Sequence, residues 1–345
     1  MSGRTHGRWR SSIAANLDIV EAEANLREAR AQRGVTRARG LPSATLKGSA
    51  QQTQTSLVGQ FPAENIPFYD RNFSLFEAGF DASWEIDLWG GQRRAIQAAD
   101  RQIDAARARA IDIRLQTVAE VVRTYAQLRG AQASLATVRA DAQAQSETAR
   151  IVRQRFRAGE AGRFDDSRAE EQARTAAAAI PDLEADIRAA GFRLALLTGR
   201  APEAVTGLID TPAALPVLPA NVAVGARADM LRRRPDIRAA EADLAAATAD
   251  IGVETSNLYP KLSLTGSFNQ QSRNPVDLVS GKSFGFSVGP RLSWAIFDAG
   301  KVRAQIRAAG ARADQASARY TKAVLAALAD SETAINNYAA ATSTV

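Results

Sequence analysis

The sequence predicts a mainly α-helical protein with a small β part, organised as two internal repeats. Two passages of the chain occur twice, long alanine-rich stretches lack proline, and four shorter segments alternate between apolar and polar residues. Alanine is the best helix former and lets helices approach each other closely, so long and tightly packed helices are expected. The alternating segments predict four β-strands.

The internal repeat is visible as two ungapped alignments. Residues 18–52 align on residues 236–270 with a shift of 218, and 15 of these 35 positions are identical. Residues 83–99 align on residues 293–309 with a shift of 210, so one copy carries about eight more residues between the matched blocks. A chain built from two copies of one unit predicts a symmetric assembly that encloses a space.

Composition excludes several kinds of enzyme site. The chain has no cysteine and one histidine, His6, in a basic N-terminal tail. Cysteine nucleophiles, Ser-His triads and zinc sites are therefore excluded. Because no set of acid, base and nucleophile is visible either, we expect no enzyme activity, no cofactor and no metal.

The chain is basic, with a net charge of +7 and a pI of about 10.1. Nucleic-acid binding is one interpretation of this charge. The arginines are interleaved with Asp and Glu, however, which is typical of solvated helix faces. The one tight run, Arg232–Arg234, is interpreted as part of the turn into a helix that starts near Pro235.

Membrane insertion by a helix is not expected, because no run of about 18 apolar residues is present. Residues 1–10 are basic and no apolar run follows them, so no signal peptide is visible. If the protein is exported, we expect its leader to be missing from this sequence.

The first repeat, residues 11–197, is predicted to contain every kind of element in the fold. A helix over 11–40 ends at a proline, and strands follow over 44–54 and 73–89, joined by a loop that contains Gly59, Pro62, Asn65 and Pro67. A proline-free stretch predicts a helix over about 92–158, on the order of 100 Å long. A glycine turn and a return helix over about 165–198 complete a long helical hairpin.

An irregular linker, residues 198–234, separates the two repeats and is rich in glycine and proline. The second repeat, residues 235–345, predicts a helix to about Leu258, strands over 262–272 and 283–297, and a helix over about 301–341. Pro290 predicts a bulge or local irregularity in the last strand. Because the second repeat has no return helix, we expect the chain to be truncated at its C-terminus.

The strands favour a membrane barrel. Their length and alternation fit transmembrane β-strands with an apolar outer face and a polar inner face. Four strands cannot close a barrel, and every strand edge in lipid must be paired, so several chains would have to pool their strands. A soluble sheet with one buried face explains the alternation about as well, but the long hairpin and the duplication favour the barrel.

Several motifs together resemble a known family, the TolC-like outer-membrane efflux factors, and in particular its lipoprotein branch paired with multidrug and metal exporters. The resemblance spans roughly residues 13–345. The motifs that carry it are Leu231–Glu241 with Ala249–Gly252 and Tyr259–Gly266, Ser83–Gly90, Leu196–Arg200 and Ser293–Lys301.

The resemblance implies a homotrimer in the bacterial outer membrane. Three chains would form a twelve-stranded barrel in the outer-membrane lipid, their helical hairpins an α-barrel tunnel in the periplasm, and the linker an equatorial collar. Such proteins perform no chemistry and serve as the exit duct of a tripartite pump, with a periplasmic adaptor and an inner-membrane transporter of the RND type as partners. The leader and the acylated cysteine of the lipoprotein branch are absent from this sequence.

The polar strand faces supply the candidate residues of the channel lumen, namely Glu77, Asp81, Glu85, Asp87 and Arg291. Repeated three times, the carboxylates would form an acidic ring that favours cations. For Glu77 and Asp81 lumen lining is the preferred role. For Glu85 and Asp87 both alternatives stay open, and for Asp87 the other role is to cap the following helix.

Two further sets of residues are candidates for binding. The turn of the first hairpin, with Arg157, Gly159, Glu160 and Gly162, corresponds to the tip that the family uses to dock its adaptor; a plain glycine helix cap is the alternative. The aromatic residues Phe76, Phe80, Trp84, Phe284, Phe286 and Trp294 are candidates for the membrane interface. For the tryptophans, packing where strands meet helices is the alternative.

The sequence therefore predicts a passive outer-membrane channel of a tripartite efflux system, for drugs, metal ions or other small molecules. The alternative is a soluble, arginine-rich coiled coil that acts as a scaffold or binds nucleic acid. The alternating aromatic strands argue against that alternative, so no nucleic-acid partner is expected.

Overall fold

The computed structural model describes residues 15–57, 67, 70–214 and 227–343, which form two compact units. The first unit comprises Met1–Leu26 and Ala108–Pro235, and the second comprises Arg27–Arg107 and Asp236–Val345. These units cut across the two sequence repeats, because strands from both repeats join one sheet in the second unit.

The described part of the chain is mainly helical and has four strands, as the sequence predicts. The helices are α1 (Leu17–Arg39), α2 (Gly91–Arg157), α3 (Arg163–Ala178), α4 (Ile180–Leu197), α5 (Thr206–Asp210), α6 (Arg227–Arg233), α7 (Pro235–Ser256) and α8 (Lys301–Ser343), with short 3-10 turns at Pro202–Val205 and Pro275–Val279. The strands are β1 (Ser43–Gln54), β2 (Asn72–Ile86), β3 (Lys261–Ser272) and β4 (Phe284–Ser293).

The core of the first unit lies between α2 and α4. Its buried residues on α2 are Val121, Leu128 and Leu135, and those on α4 are Ile187 and Leu194. On each helix these residues are seven positions apart, which is the spacing that keeps one helix face turned toward its partner. This part of the long hairpin is therefore held together as a two-helix coiled coil.

A buried arginine on α2 attaches the start of the linker to this core. Arg129 donates hydrogen bonds to the carbonyl of Thr211 at 2.8 Å and to Gln132 at 2.6 Å. Gln132 in turn donates to the carbonyl of Ile209 at 2.7 Å. Because these carbonyls end α5 and have no partner within a helix, the cation and the amide satisfy them.

The return helix of the hairpin is interrupted. The sequence predicts one helix over about 165–198, whereas α3 ends at Ala178 and α4 begins at Ile180. Pro181 explains the difference, because proline has no N–H group to donate to the carbonyl four residues earlier.

The linker also differs from the prediction. It contains the short helices α5 and α6 rather than irregular chain alone, and residues 215–226, including Pro216 and Pro219, lie outside the described residues. Arg232 and Arg233 form the last turn of α6, so only Arg234 belongs to the turn before Pro235. His6 and the loop residues Gly59, Pro62 and Asn65 likewise lie outside the described residues.

The second unit combines alanine-rich helices with the sheet. Apart from Ile237 on α7, the buried hydrophobic residues of its helices are alanines, which include Ala105 on α2, Ala246 and Ala249 on α7, and Ala309 and Ala327 on α8. Small side chains of this kind let helix backbones approach each other closely, as the composition predicts.

The sheet has the strand order β1-β2-β3-β4, and every neighbouring pair is antiparallel. β1 and β3 lie within one residue of the predicted strands. β2 ends at Ile86 and β4 at Ser293, earlier than the predicted ends at 89 and 297, because aspartates that follow each strand fold back onto the next helix.

The predicted irregularity at Pro290 is wrong. The register of β3 and β4 runs without a bulge from Lys261 paired with Ser293 to Gln270 paired with Phe284. The backbone N–H of Gln271 bonds to the carbonyl of Ser283, so odd-numbered residues of β4 make the ladder bonds to β3. The nitrogen of Pro290 therefore points away from β3 and toward the outer edge of β4. The ladder between β3 and β4 loses no hydrogen bond at this proline.

None of the described helices is long and apolar enough to span a lipid bilayer.

Two leucines on α4 test the coiled-coil core of the first unit. Leu194 is 1% exposed and Leu196 is 71% exposed. We expect Leu194→Ala to lower the free energy of unfolding by about 3 kcal/mol, because it removes buried methyl groups and leaves a cavity. Leu196→Ala should cost less than about 1 kcal/mol. Chemical denaturation followed by circular dichroism measures both, and equal losses would contradict the assignment of the core.

Candidate functional site

The sheet has one apolar and one polar face, and the register keeps the two faces in phase across all four strands. One row of paired residues consists of Leu46, Phe80, Phe268 and Phe286. The next row consists of Thr45, Asp81, Ser267 and Ser287. Even-numbered residues therefore share the apolar face and odd-numbered residues the polar face, since paired residues of antiparallel strands project to the same side.

Most charges on the polar face are paired within the chain. Lys47 on β1 forms an ion pair with Asp81 on β2, and Lys261 on β3 lies 3.7 Å from Glu85. Neither lysine was among the lumen candidates predicted from the sequence, which were four carboxylates and Arg291. Two signals in the sequence could have identified the two lysines. Lys47 alternates with the other polar residues of β1, and Lys261 is the first residue of β3. The face is thus close to electrically balanced rather than acidic.

Glu77 and Arg291 are the remaining charges on the polar face. Glu77 accepts hydrogen bonds from Gln271 at 2.7 Å and from Ser49 at 3.4 Å, and among the described residues it has no cationic partner. Arg291 is exposed on β4, and its guanidinium has no acidic partner in the described part of the chain.

Asp87 caps a helix. Its carboxylate accepts hydrogen bonds from the backbone N–H groups of Gln92 and Arg93, at 3.2 and 2.9 Å. These groups belong to the first turn of α2 and have no partner within the helix. The structure thus supports the second of the two roles left open for Asp87, which lies beyond the end of β2.

The apolar face of the sheet is exposed. Leu46 is 83% exposed and Phe286 is 70% exposed, and Val288 and Leu292 are exposed to a similar degree. Contiguous apolar surface of this kind marks an interaction site with protein or lipid. Single exposed apolar residues would carry no such meaning.

Aromatic rings form a continuous row on this face. Phe80 stacks on Phe268 with ring centroids 5.2 Å apart, and Phe268 meets Phe284 edge-on at 4.9 Å. Phe284 lies 5.9 Å from Phe286. The structure thus brings together three of the predicted aromatic residues, Phe80, Phe284 and Phe286, through Phe268. Phe76 lies four residues before Phe80 on β2, opposite Ser272.

Two predicted tryptophans tie the strand ends to the helices. Trp84 donates a hydrogen bond from Nε1 to the carbonyl of Gly40, and Trp294 donates one to the carbonyl of Leu258, both at 3.0 Å. Trp294 corresponds to Trp84 by the shift of 210, and Leu258 corresponds to Gly40 by the shift of 218. The same contact is thus formed once in each repeat, with the indole rings left partly exposed.

The hairpin tip has a defined backbone geometry. Gly159 adopts a φ of +81°, and the N–H of Glu160 bonds to the carbonyl of Arg155 at 2.8 Å, five residues earlier. This is the Schellman arrangement, which favours glycine at that position. Gly162 then precedes α3, and its N–H donates to the carboxylate of Asp165 at 3.2 Å.

The tip presents an aromatic and basic surface. Phe164, at the start of α3, is 74% exposed, and Phe156 is partly exposed at the end of α2. Arg153 joins the two helices just behind the turn through Asp166 at 3.4 Å and Glu170 at 2.5 Å. Phe164 was not among the tip residues predicted from the sequence, although an apolar residue two positions after the last glycine of the turn is a usable signal.

Metal binding has no structural support in the described regions, since no group of three His, Cys, Asp or Glu side chains is placed to hold an ion.

The sequence matches the profile of the outer membrane efflux protein family over residues 10–200 and 227–345. The chain belongs to this family. Family membership confirms the resemblance found in the motifs, and it gives no support to a soluble or nucleic-acid-binding scaffold.

Relatives and solved structures agree with the outer membrane efflux family. Nodulation protein T of Rhizobium leguminosarum bv. trifolii is 32% identical over 323 residues, which cover 94% of this chain and 68% of that protein. Outer membrane protein OprJ of Pseudomonas aeruginosa is 31% identical over 313 residues, which cover 88% and 63%. The outer-membrane channel OprN superimposes with a TM-score of 0.86 at 35% identity, over 97% of this chain and 74% of that one. The chain spans about two thirds of the length of these curated relatives.

The tip of this efflux protein can be tested with one substitution made at two glycines. We expect Gly159→Ala to lower the free energy of unfolding by about 1–2 kcal/mol, because a Cβ atom is strained at positive φ. Gly130→Ala should raise it by roughly 0.5–1 kcal/mol, since Gly130 lies within α2 and a Cβ atom there meets nothing within 4 Å. Thermal unfolding measures both, and a shift of the same sign for both variants would rule out this tip geometry.

The start of α8 should be sensitive to pH. Asp298 accepts the N–H groups of Val302 at 2.8 Å and Gly300 at 2.9 Å, and the bond from Val302 is the main reason that its pKa is lowered. A lowered pKa in the folded state means that the ionised carboxylate stabilises the fold. This stabilisation is complete above the ordinary Asp pKa of about 3.9 and is lost as the pH falls through the pKa of the folded state. Compared with Asp298→Asn, the wild type should therefore lose its advantage in the denaturation midpoint below about pH 4. An advantage that persists at lower pH would exclude the charge as its source.

Proposed function

We propose that the protein is the outer-membrane channel of a tripartite efflux pump and a passive exit duct for drugs, metal ions or other small molecules. One observation carries the proposal, namely a four-stranded sheet with an exposed apolar face, a polar opposite face and two edges that pair with no other described residues. Family membership and the likeness to the outer-membrane channel OprN support it.

The apolar face fits lipid better than a protein core. Its strands are 10 to 15 residues long, which is enough to cross the hydrocarbon region when tilted. No described helix of the second unit packs its apolar side chains over Leu46 or Phe286, both of which stay largely exposed. A soluble sheet would leave this face in water, at the cost of aggregation.

The edges of the sheet call for further copies of the chain. Within the described part of the chain, β1 and β4 each pair with one strand, and an unpaired strand edge is not tolerated in lipid. Three copies would contribute twelve strands to one closed barrel, with the polar face toward the lumen. The two internal repeats, each with the same tryptophan-to-carbonyl contact, support a ring of six similar units.

The lumen would carry a nearly balanced set of charges rather than a strong acidic ring. Within one chain, Lys47 and Lys261 neutralise Asp81 and Glu85. Glu77 and Arg291 add one charge of each sign. A pore of this kind discriminates weakly between cations and anions, which suits a duct whose substrates are selected by the pump.

The helical hairpins would extend into the periplasm, where their tip is the proposed docking site of the adaptor. The exposed Phe164 supplies an apolar anchor, and Arg157 and Glu160 supply a polar rim around it. The adaptor would then connect the channel to an inner-membrane transporter of the RND type.

The proposal is tested by two neighbouring residues that lie on opposite faces of β4. The protein is expressed with an export signal, and its mass is measured by light scattering after detergent extraction of the outer-membrane fraction. We expect a trimer that conducts ions in planar bilayers. Val288→Arg should abolish membrane-bound trimers, because an arginine on the lipid face costs about 2–4 kcal/mol per chain at the bilayer midplane. Residue 287 faces the lumen in the proposed barrel, so the Ser287→Arg variant should still form membrane-bound trimers.

A soluble monomer for the wild type would overturn the proposal. Equal behaviour of the Val288 and Ser287 variants would overturn the assignment of the lipid face.

A further inference from the structure

We infer that β4 of one copy pairs with β1 of the next copy in one defined register, in which Ser287 lies opposite Thr53 and Trp294 lies opposite Leu46. This inference rests on the trimeric barrel proposed above. It defines the seam, meaning the ladder between β4 and the β1 strand of the next copy, residue by residue.

The internal repeat already determines one register within the chain. Ser43 pairs with Ser83 in the ladder of β1 and β2. Moving Ser43 by the repeat shift of 218 leads to Lys261, and moving Ser83 by 210 leads to Ser293. Lys261 and Ser293 are paired in the ladder of β3 and β4. The two hairpins therefore share one register, although their loops differ in length.

The ladder of β2 and β3 joins the first repeat to the second, and the seam joins the second repeat to the first repeat of the next copy. The same two repeat shifts therefore convert each residue pair of the β2–β3 ladder into the corresponding residue pair of the seam. Trp84 pairs with Leu264, and the shifts move this pair onto Trp294 and Leu46 of the next copy. The pair Glu77 and Gln271 moves onto Ser287 and Thr53 in the same way.

The hydrogen-bonding groups of both edges fit this register. The N–H of Thr55 bonds to the carbonyl of Arg71, and that of Gln271 bonds to the carbonyl of Ser283. Odd-numbered residues of β1 and β4 thus bond inward, and even-numbered residues point their N–H and C=O groups to the free edges. In the inferred seam, even-numbered residues face each other, so the free groups meet at every position except Pro290, which has no N–H group. The apolar faces stay on one side.

The register also brings together two charges, on Arg291 and Glu77, that have no oppositely charged partner among the described residues of one chain. Arg291 would lie opposite Ser49 of the next copy, which already donates to Glu77 on the adjacent strand. Two strand spacings of about 4.8 Å separate the backbones of Arg291 and Glu77, a distance that their two extended side chains bridge. The seam would therefore gain an ion pair between copies.

Disulfide formation tests the register, and the natural sequence offers a background without cysteine. Ser287 and Thr53 would form a non-hydrogen-bonded pair with Cα atoms about 4.5 Å apart, which suits a disulfide. The full chain with Ser287→Cys and Thr53→Cys is treated as a membrane-bound trimer with diamide, which takes up two electrons and two protons for each disulfide formed. Non-reducing electrophoresis then detects covalently linked copies.

Two matched controls shift the register by two residues. Ser287→Cys is combined with Gln51→Cys in one and with Thr55→Cys in the other, which places the Cα atoms near 7–8 Å apart, at the limit for a disulfide. We expect the Thr53 pair to form linked copies at least about tenfold faster than either control. The single Ser287→Cys variant should form none.

The outcomes separate the register from the proposed function. If the wild type is a trimer but a shifted pair links faster, or no pair links, the inferred seam is wrong and the channel proposal stands. If the wild type is a monomer, both fail. A second pair at the other end of β4, Ser293→Cys with Lys47→Cys, repeats the test should the first variant not assemble.

Discussion

The structure depends on the in-phase alternation of four strands. Because Leu46, Phe80, Phe268 and Phe286 lie in one row, most apolar side chains of the sheet are on the same face, with Phe73 and Leu75 of β2 as the exceptions. A slip of one residue in any ladder would place phenylalanines among the serines and glutamates of the opposite face. The aromatic row, the ion pairs of the polar face and the open edges all depend on this phase, and so does the fit to a bilayer.

The helices position the sheet through small side chains and a few polar ties. Alanines fill the helical core of the second unit, and the tryptophans Trp84 and Trp294 join strand ends to the chain that precedes each first strand. In the first unit, leucines at coiled-coil spacing hold α2 against α4, while Arg129 secures the start of the linker. Apolar packing thus holds α2 against α4, and hydrogen bonds attach the linker to them.

Sequence patterns predicted the features that depend on periodicity. The alternation of β2 and the proline-free stretch of α2 each extend over many residues, so a single irregular position does not obscure them. The family resemblance was predicted equally well, since it rests on several motifs at once. Element ends were less predictable, because at Asp87 the same carboxylate can continue a strand or cap a helix, and local backbone bonds decide between them.

Contacts between distant segments were the least predictable part of the site. No residue near Asp81 in the sequence indicates that its partner is Lys47. The two side chains meet only because β1 and β2 pair in one particular register. The break between α3 and α4 was predictable, because Pro181 is visible in the sequence. It was overlooked because the residues around it strongly favour a helix. Charge balance on a sheet face can thus be judged only after the strands are placed beside each other.

Pro290 gives the edge of β4 a built-in asymmetry. Its nitrogen points outward, and in the seam it would face Ala50 of the next copy, whose carbonyl would then lack a donor. Ladders within one chain have no such gap along their described length. A closed barrel would contain three of these gaps, all at boundaries between subunits, so mechanical or thermal opening should begin there. Each chain would then leave as an intact sheet, and the barrel would come apart by subunits rather than by strands.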